Sequence, residues 1–377
     1  MKTVFFGPFV GEFGWELLFW QGWVKDVSRS IFKDCRKIVS SFPGRHPFYP
    51  EADEFWPHPD WLSAKNYSQR GYITDWWKNG LPAPNIVIRK YKWGFRRYFE
   101  SMPIVKEKKQ DASDAIRDLF DSYKKRLPED TVYFTPFALN KCPKYNITFG
   151  ADIADNPLGM SDFKTKRIDF KYQLLEKIVP TPKGEEAFLS IAKGADKIIA
   201  VLPRKRDHRR PDKNWQREKY DSLIAMLQQR FKDYVIAILG EPGGAFYAEG
   251  VPNGCIDLIN LDPNLRTDIQ VAALKHAALS IGSMSGATIF ALACGCPSIT
   301  FAFFGQAELL HRQNFLGTRL IYYPEMDPEP EIILRLAEGM ISHKIPPQDS
   351  VHWDALDYFG TMYKFRKKIM RYLKEAV

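Results

Sequence analysis

Apolar residues along this chain come in short blocks, each followed by a turn and then by a longer amphipathic or small-residue stretch. The second half shows the pattern best. Lys197–Leu202 reads as a strand, Pro203–Asn214 as a loop and Arg217–Phe231 as a helix, with the next strand over Tyr234–Leu239 ending at Gly240-Glu241-Pro242. A short strand, Ile256–Leu258, precedes a helix over Thr267–Ala277. Then comes the most informative segment, Leu279 to Gly305, LSIGSMSGATIFALACGCPSITFAFFG. It predicts a strand (Leu279–Ile281), a small polar turn (Gly282–Gly286), a helix (Ala287–Ala293), a stop at Gly295 and a strand (Pro297–Ala302). Glu331–Met340 reads as a helix and His352–Ala376 as a long C-terminal one.

The first half is richer in loops. A strand over Thr3–Phe6 leads through a glycine loop, Gly7 to Gly14, into an apolar helix from about Trp15 to Val27. A strand over Lys37–Ser41 follows, then a Pro- and aromatic-rich stretch, Phe42 to Trp61, too irregular for long elements. Asn85–Ile88 and Thr131–Phe134 read as strands and Asp111–Lys125 as a helix. Two prolines and a glycine in Ile178–Glu186 suggest a linker. Alternating strands and helices predict an α/β fold on parallel sheets, and 377 residues call for two domains.

Composition narrows the function. A hydrophobic fraction of 45% excludes a disordered chain. The net charge of +9 favours anionic partners, against the plain alternative of a generic basic surface. The five cysteines are scattered apart from Cys294 and Cys296, whose C-x-C spacing fits no zinc site, so buried free thiols in a reducing compartment are expected. Glu12 and Glu16 interrupt the apolar N-terminus, which therefore reads as neither signal peptide nor membrane span. A cytoplasmic protein is expected, with peripheral contact at the inner membrane face left open.

Three constellations carry candidate chemistry. In the turn after Ile281, Ser283, Ser285 and Gly286 offer hydroxyls and N–H groups at a helix start, where a phosphate binds well. The same residues also make an ordinary helix cap with no ligand. In PRKRDHRRPDKNW, Pro203 to Trp215, cations including Arg204, Arg209, Arg210 and Lys213 crowd a loop at the carboxyl end of a strand. That edge is where open α/β sheets bind ligands, and guanidinium forks suit phosphate oxygens. The two elements reinforce each other as one diphosphate site. The third is GPFVGEFGWELLFW, Gly7 to Trp20, in which Gly7, Gly11 and Gly14 do not give the dinucleotide spacing. Glu12 and Glu16 sit at its strand–helix junction as candidate bases, or simply as favourable charges at a helix start. Glu241 is placed to meet ribose hydroxyls, and Gln306 and Glu308 are further donor-pocket candidates. No D-x-D occurs, so a leaving diphosphate would be neutralised by cationic side chains and a helix start, with no metal and no cofactor expected.

On these residues the chain resembles the glycosyltransferases of the GT-B fold, and among them the heptosyltransferase-like family. SIGSMSGATIFALACGCPSITFAFFG is similar to that family's donor-site segment. GEFGWELLFW resembles its first loop, with Glu12 at the position of the acidic catalytic base. Pro203-Arg204, Lys213 and Trp215 resemble its phosphate-contacting loop, whose arginine density also looks like fucosyltransferase donor loops. The resemblance implies two Rossmann-like domains facing across a cleft: 1–182 on the acceptor side and 183–350 binding the sugar nucleotide. It also implies that the C-terminal helix, 351–377, packs back on the first domain. With the absent D-x-D, the activity expected is metal-independent, inverting transfer of a sugar from a nucleotide diphosphate to a hydroxyl.

The acceptor is expected to be anionic, a phosphorylated or lipid-linked glycan. RKYKWGFRRY, residues 89–98, interleaves five basic side chains with aromatic ones. With Gly11 and Gly14, it supplies Arg89, Lys92, Trp93 and Arg96 as acceptor-side candidates, unless it is an edge strand guarded by charge. Modified nucleic acid is a rival acceptor, and a GT-B-type sugar-nucleotide epimerase is a rival enzyme. No obligate protein partner is inferred.

Overall fold

The computed structural model describes residues 1–9, 13–59, 118–134, 161–162, 167–168, 173–206, 211–303, 306, 310–311 and 313–345. The expected strand 85–88, the basic segment 89–98 and the C-terminal helix 352–376 lie outside them, as do Gly11, Glu12, Arg209, Arg210 and Glu308. Contacts divide the chain into two units, the first Met1–Leu175 and the second Glu176–Arg206 with Pro211–Val377.

The first unit carries a four-stranded parallel sheet. Its strands are β1 (Thr3–Phe6), β2 (Arg36–Ser41), β3 (Glu54–Pro57) and β4 (Val132–Phe134), in the order β3-β2-β1-β4. Strand β3 falls inside the stretch expected to be irregular. Its sequence, EFWP, has strand formers in Phe55 and Trp56 but is short and ends at Pro57, and parallel pairing with β2 (Val39 opposite Phe55) completes it. Between β1 and β2 runs a helical segment, α1, made of Phe13–Trp15, a π-helical Glu16–Trp20 and Gln21–Arg29. Phe5, Phe6, Trp20, Trp23, Phe32 and Phe134 make the core an aromatic one. Residues 118–124 are helical, in the second half of the helix expected there.

The second unit opens with α2 (Pro182–Ala192), where a linker was expected to run on to Glu186. Thr181 caps it, accepting from the N–H of Gly184 at 3.2 Å, with Pro182 in the first turn. The second proline of the supposed linker is therefore a helix start, where a missing N–H costs nothing. The remaining elements are β5 (Ile198–Leu202), α3 (Arg217–Arg230), β6 (Val235–Leu239), β7 (Cys255–Leu258), α4 (Pro263–His276), β8 (Ala277–Ser283), α5 (Gly286–Ala293), β9 (Ser298–Phe301), β10 (Leu320–Tyr323) and α6 (Pro330–Ile341). The sheet is parallel throughout, in the order β10-β9-β8-β5-β6-β7.

Numbered within the unit, that is the 3-2-1-4-5-6 order of the dinucleotide-binding sheet. The chain builds β5, β6 and β7 outward in one direction, returns, and builds β8, β9 and β10 in the other. The reversal falls between β5 and β8, whose strands pair with Gly282 opposite Leu202. A Cβ on Gly282 would lie 2.8 Å from both the Cβ and the carbonyl oxygen of Leu202, so glycine is what lets the strands close there. Helix α5 ends as its sequence predicts. Gly295 has φ +73°, its N–H meets the Leu292 carbonyl at 3.0 Å, and that of Cys296 meets Ala291 at 3.0 Å, which is a Schellman stop.

Candidate functional site

The carboxyl ends of β5 and β8 are adjacent, so the loop that follows each opens on the same edge of the sheet. After β5 the chain turns at once: the N–H of Arg204 meets the Leu202 carbonyl at 2.9 Å. The loop after β6 then zips onto it. Lys205 donates its N–H to Gly244 at 2.9 Å, and Phe246 donates to Pro203 at 2.7 Å. Arg204 is 8% exposed, and its Nη1 donates to Oδ1 of Asn214.

After β8, Ser285 caps α5. Its oxygen accepts from the N–H of Ala287 at 3.2 Å, while Thr288 Oγ1 accepts from the N–H of Ser285 at 3.4 Å. The N–H of Gly286 takes no part in this box, so it remains a first-turn donor on the sheet edge. Behind the turn, Thr300 Oγ1 donates to the Gly282 carbonyl at 2.9 Å and fixes the strand end.

Tyr220 of α3 ties the two loops together from beneath. Its hydroxyl donates to the Leu202 carbonyl at 3.3 Å. Burial pushes its pKa up to about 12, with Ser283 and Arg204 both close enough to oppose that rise. Ser283 was expected to meet ligand, but its side chain is fully buried. Ser285 and Gly286 are half-buried at the edge.

The other donor-site candidates are spread along the same edge. Glu241 follows β6, half-buried, and its charge acts on Arg206 and Arg266, whose pKa values burial depresses and Glu241 supports. Lys213 lies on a short 3-10 turn, Pro211–Lys213, and is half-buried. Gln306 follows β9, and its Oε1 is shielded from solvent without a hydrogen-bond partner. Sequence reasoning missed Arg266, for which no signal existed. It also passed over Asn214, whose place between a basic loop and a buried tryptophan was readable.

In the first unit the structure corrects the reading of Glu16. Its side chain is 0% exposed. Oε2 accepts from Arg45 Nη1, and Oε1 accepts from Ser41 Oγ and from Tyr49 OH, the last at 2.6 Å. Phe13 and Phe42 flank the Arg45 guanidinium, with ring centroids at 4.8 and 4.4 Å. Burial beside Glu16 raises the Tyr49 pKa well above its ordinary value. A carboxylate held by three donors with no solvent access is not placed to take a proton from an incoming hydroxyl, so Glu16 is a structural anchor. Gly14 falls in the first turn of α1, half-buried.

The loop after β1 is tied down nearby. Gly7 N–H meets the Phe134 carbonyl at 2.7 Å and Phe9 N–H meets that of Ser40 at 3.0 Å. His58 Nε2 donates to the Phe9 carbonyl at 2.7 Å, which leaves Nδ1 to accept from Ser40 Oγ at 3.3 Å. Burial drops the His58 pKa to about 3, so the ring is neutral near pH 7.

Cys294 and Cys296 are free and buried, and burial raises both thiols, Cys296 to about 12. Among the described residues no group of three His, Cys, Asp or Glu side chains is placed to hold a metal ion. Nor is any helix among them long and apolar enough to cross a membrane.

Fold and site together define an α/β protein of two parallel-sheet units, the second with a dinucleotide-type strand order and a cationic edge at its reversal point. No protein-family model matches the chain, and no curated protein sequence does. Among solved structures it is similar to the E. coli ADP-heptose lipopolysaccharide heptosyltransferase II, at 12% identity and a TM-score of 0.47, over 91% of this chain and 99% of that one. A glycosyl transferase family 9 structure from Veillonella parvula is similar at 12% identity and a TM-score of 0.47, covering 91% and 97%. So is a putative UDP-N-acetylglucosamine 2-epimerase from Listeria monocytogenes, at 12% and 0.36, covering 91% and 89%. The heptosyltransferase likeness expected from the motifs is thus met again in the solved structures.

Proposed function

We propose that the protein is a glycosyltransferase of GT-B type that binds the diphosphate of a sugar nucleotide on the carboxyl edge of its second sheet. The observation that supports this most is the strand reversal between β5 and β8. It brings a buried arginine and a capped helix start, some 80 residues apart, to one edge. Arg204 and the Gly286 N–H suit the departing diphosphate, and such a donor lowers a barrier by roughly 3 kcal/mol. Glu241 stands at the end of the unit's second strand, the place from which an acidic side chain reaches ribose hydroxyls in dinucleotide-binding sheets. Lys213 and Gln306 complete the proposed pocket.

In this reading Glu12 takes the acceptor's proton, and the sugar passes in one inverting displacement without a divalent ion. The acceptor is an anionic or lipid-linked glycan, gripped by Arg89, Lys92, Trp93 and Arg96. The test incubates the full chain with ADP-, GDP-, UDP- and CMP-sugars and follows nucleotide release with and without a phosphorylated glycan, in EDTA. Acceptor-dependent release that Glu12→Gln lowers roughly 100-fold is the expected result. Conversion of the sugar nucleotide to an isomer with no acceptor and no nucleotide released would replace transfer by epimerisation, and loss of activity in EDTA would overturn the metal-free step.

A further inference from the structure

The side chain of Asn214 makes three hydrogen bonds, all to the arginine loop that it terminates. Its Oδ1 accepts from Arg204 Nη1 and from the N–H of Arg206 at 3.0 Å, and its Nδ2 donates to the Arg206 carbonyl at 2.8 Å. A fourth bond, from its own N–H to the Pro211 carbonyl at 2.9 Å, closes the 3-10 turn just before it. The residue is itself anchored. Its neighbour Trp215 is fully buried against Tyr220 and Phe301, with ring centroids at 4.8 and 4.9 Å, and its indole N–H donates to the Pro328 carbonyl at 3.0 Å. A core tryptophan thus fixes the backbone from which one amide reaches back eight residues. That amide holds both the main chain at Arg206 and the guanidinium of Arg204.

An amide suits this work for a reason of charge. Its oxygen orients a guanidinium without adding a negative charge at the place where an anion would bind. We infer that Asn214 is the positioning residue of the site, setting the Arg204 guanidinium and closing the loop so that the carboxyl edge of β5 is preorganised for a diphosphate. The inference rests on the diphosphate reading given above. Fixing the arginine in advance removes from binding the cost of ordering a long, rotamer-rich side chain.

The test uses the full chain and inorganic pyrophosphate, which carries the diphosphate without committing to a base, titrated by calorimetry. Thermal midpoints of each variant are measured alongside. Wild type is expected to bind. Asn214→Ala is expected to bind about tenfold more weakly, as for loss of a hydrogen bond to a charged group. Asn214→Asp keeps both acceptor bonds but places a carboxylate against Arg204, and is expected to bind more weakly still. Loss of a residue that only closed the loop would weaken binding by the same factor in an Arg204→Ala background, and that equality overturns the inference. Equal affinity of Asn214→Ala and wild type overturns it too. If Asn214→Ala does not fold, Asn214→Asp binding as tightly as wild type overturns it alone. Failure of wild type to bind pyrophosphate would instead remove the diphosphate reading itself, and the inference with it.

Discussion

Each unit buries an arginine beside the carboxyl end of its sheet, and the two are held in opposite ways. Arg45, 3% exposed, closes onto a buried carboxylate, and Ser41 and Tyr49 satisfy the remaining acceptor positions of Glu16. Such a pair is internally neutral and has nothing to offer a ligand. Arg204 is nearly as buried, but its Nη1 is oriented by an amide in a loop zipped to its neighbour. The same residue type closes an ion pair in one unit and is oriented by an amide in the other. The partner decides which, and the partner lies 29 residues away in the first case and 10 in the second.

The comparison is broken most forcefully at Glu16. Replacing Glu16 by Gln leaves Arg45 buried with its countercharge gone, at an expected cost of about 3–5 kcal/mol in urea unfolding. Glu16→Leu combined with Arg45→Met should be less destabilised than Glu16→Gln, since no charge is then stranded. A loss under about 1 kcal/mol for Glu16→Gln would mean the pair does not hold the first unit together.

Arg204→Ala should do the converse. Affinity for nucleoside diphosphates, read by calorimetry, is expected to fall by about 2 kcal/mol, with a smaller change in stability than Glu16→Gln produces. A variant that loses stability but keeps its affinity would move Arg204 into the same class as Arg45. Ser285→Ala sharpens the second unit further. Removing the cap of α5 should cost about 1 kcal/mol in thermal unfolding, and binding should weaken with it as the first turn frays.

The last expected effect concerns protons, and its size is set by the pH. His58 is neutral in the folded chain down to about pH 3, whereas an unfolded histidine takes up a proton near its ordinary value of about 6.5. Between those values the unfolded state binds more protons, so stability is full above about pH 6.5 and declines as the pH falls toward 3. His311 in the second unit, lowered by burial to about 4, acts in the same direction. His58→Gln should flatten part of the fall in thermal midpoint between pH 7 and pH 5, and an unchanged slope would remove His58 from that account.

Much of the second unit was legible in its sequence. The strands around Ile199, Ile236 and Ile281, the polar turn at 283–286 and the Gly295 stop all lie where the apolar blocks and turn residues put them. The errors share a cause. Thr181-Pro182 and Asp262-Pro263 open helices α2 and α4, whereas the local pattern suggests a linker at the first and a start only at Thr267 for the second. A proline behind a capping side chain starts a helix as readily as it breaks one. Strands β3 and β10 were not expected at all, and both lie at sheet edges, where one neighbour's pairing makes the strand.

The sequence by itself determined the alternation of strands and helices, the capped start and glycine stop of α5, and a dense run of cations after β5. Those are local matters of period, cap and turn, decided within a few residues. Strand order was not local. Only the folded sheet sets β5 beside β8, because that depends on where the chain reverses and on Gly282 letting two backbones close. The fate of each charged side chain was decided the same way. Glu16 became an anchor because Arg45, Ser41 and Tyr49 reach it in the folded unit, and Arg204 is held at the carboxyl edge of β5 because Asn214 folds back to it.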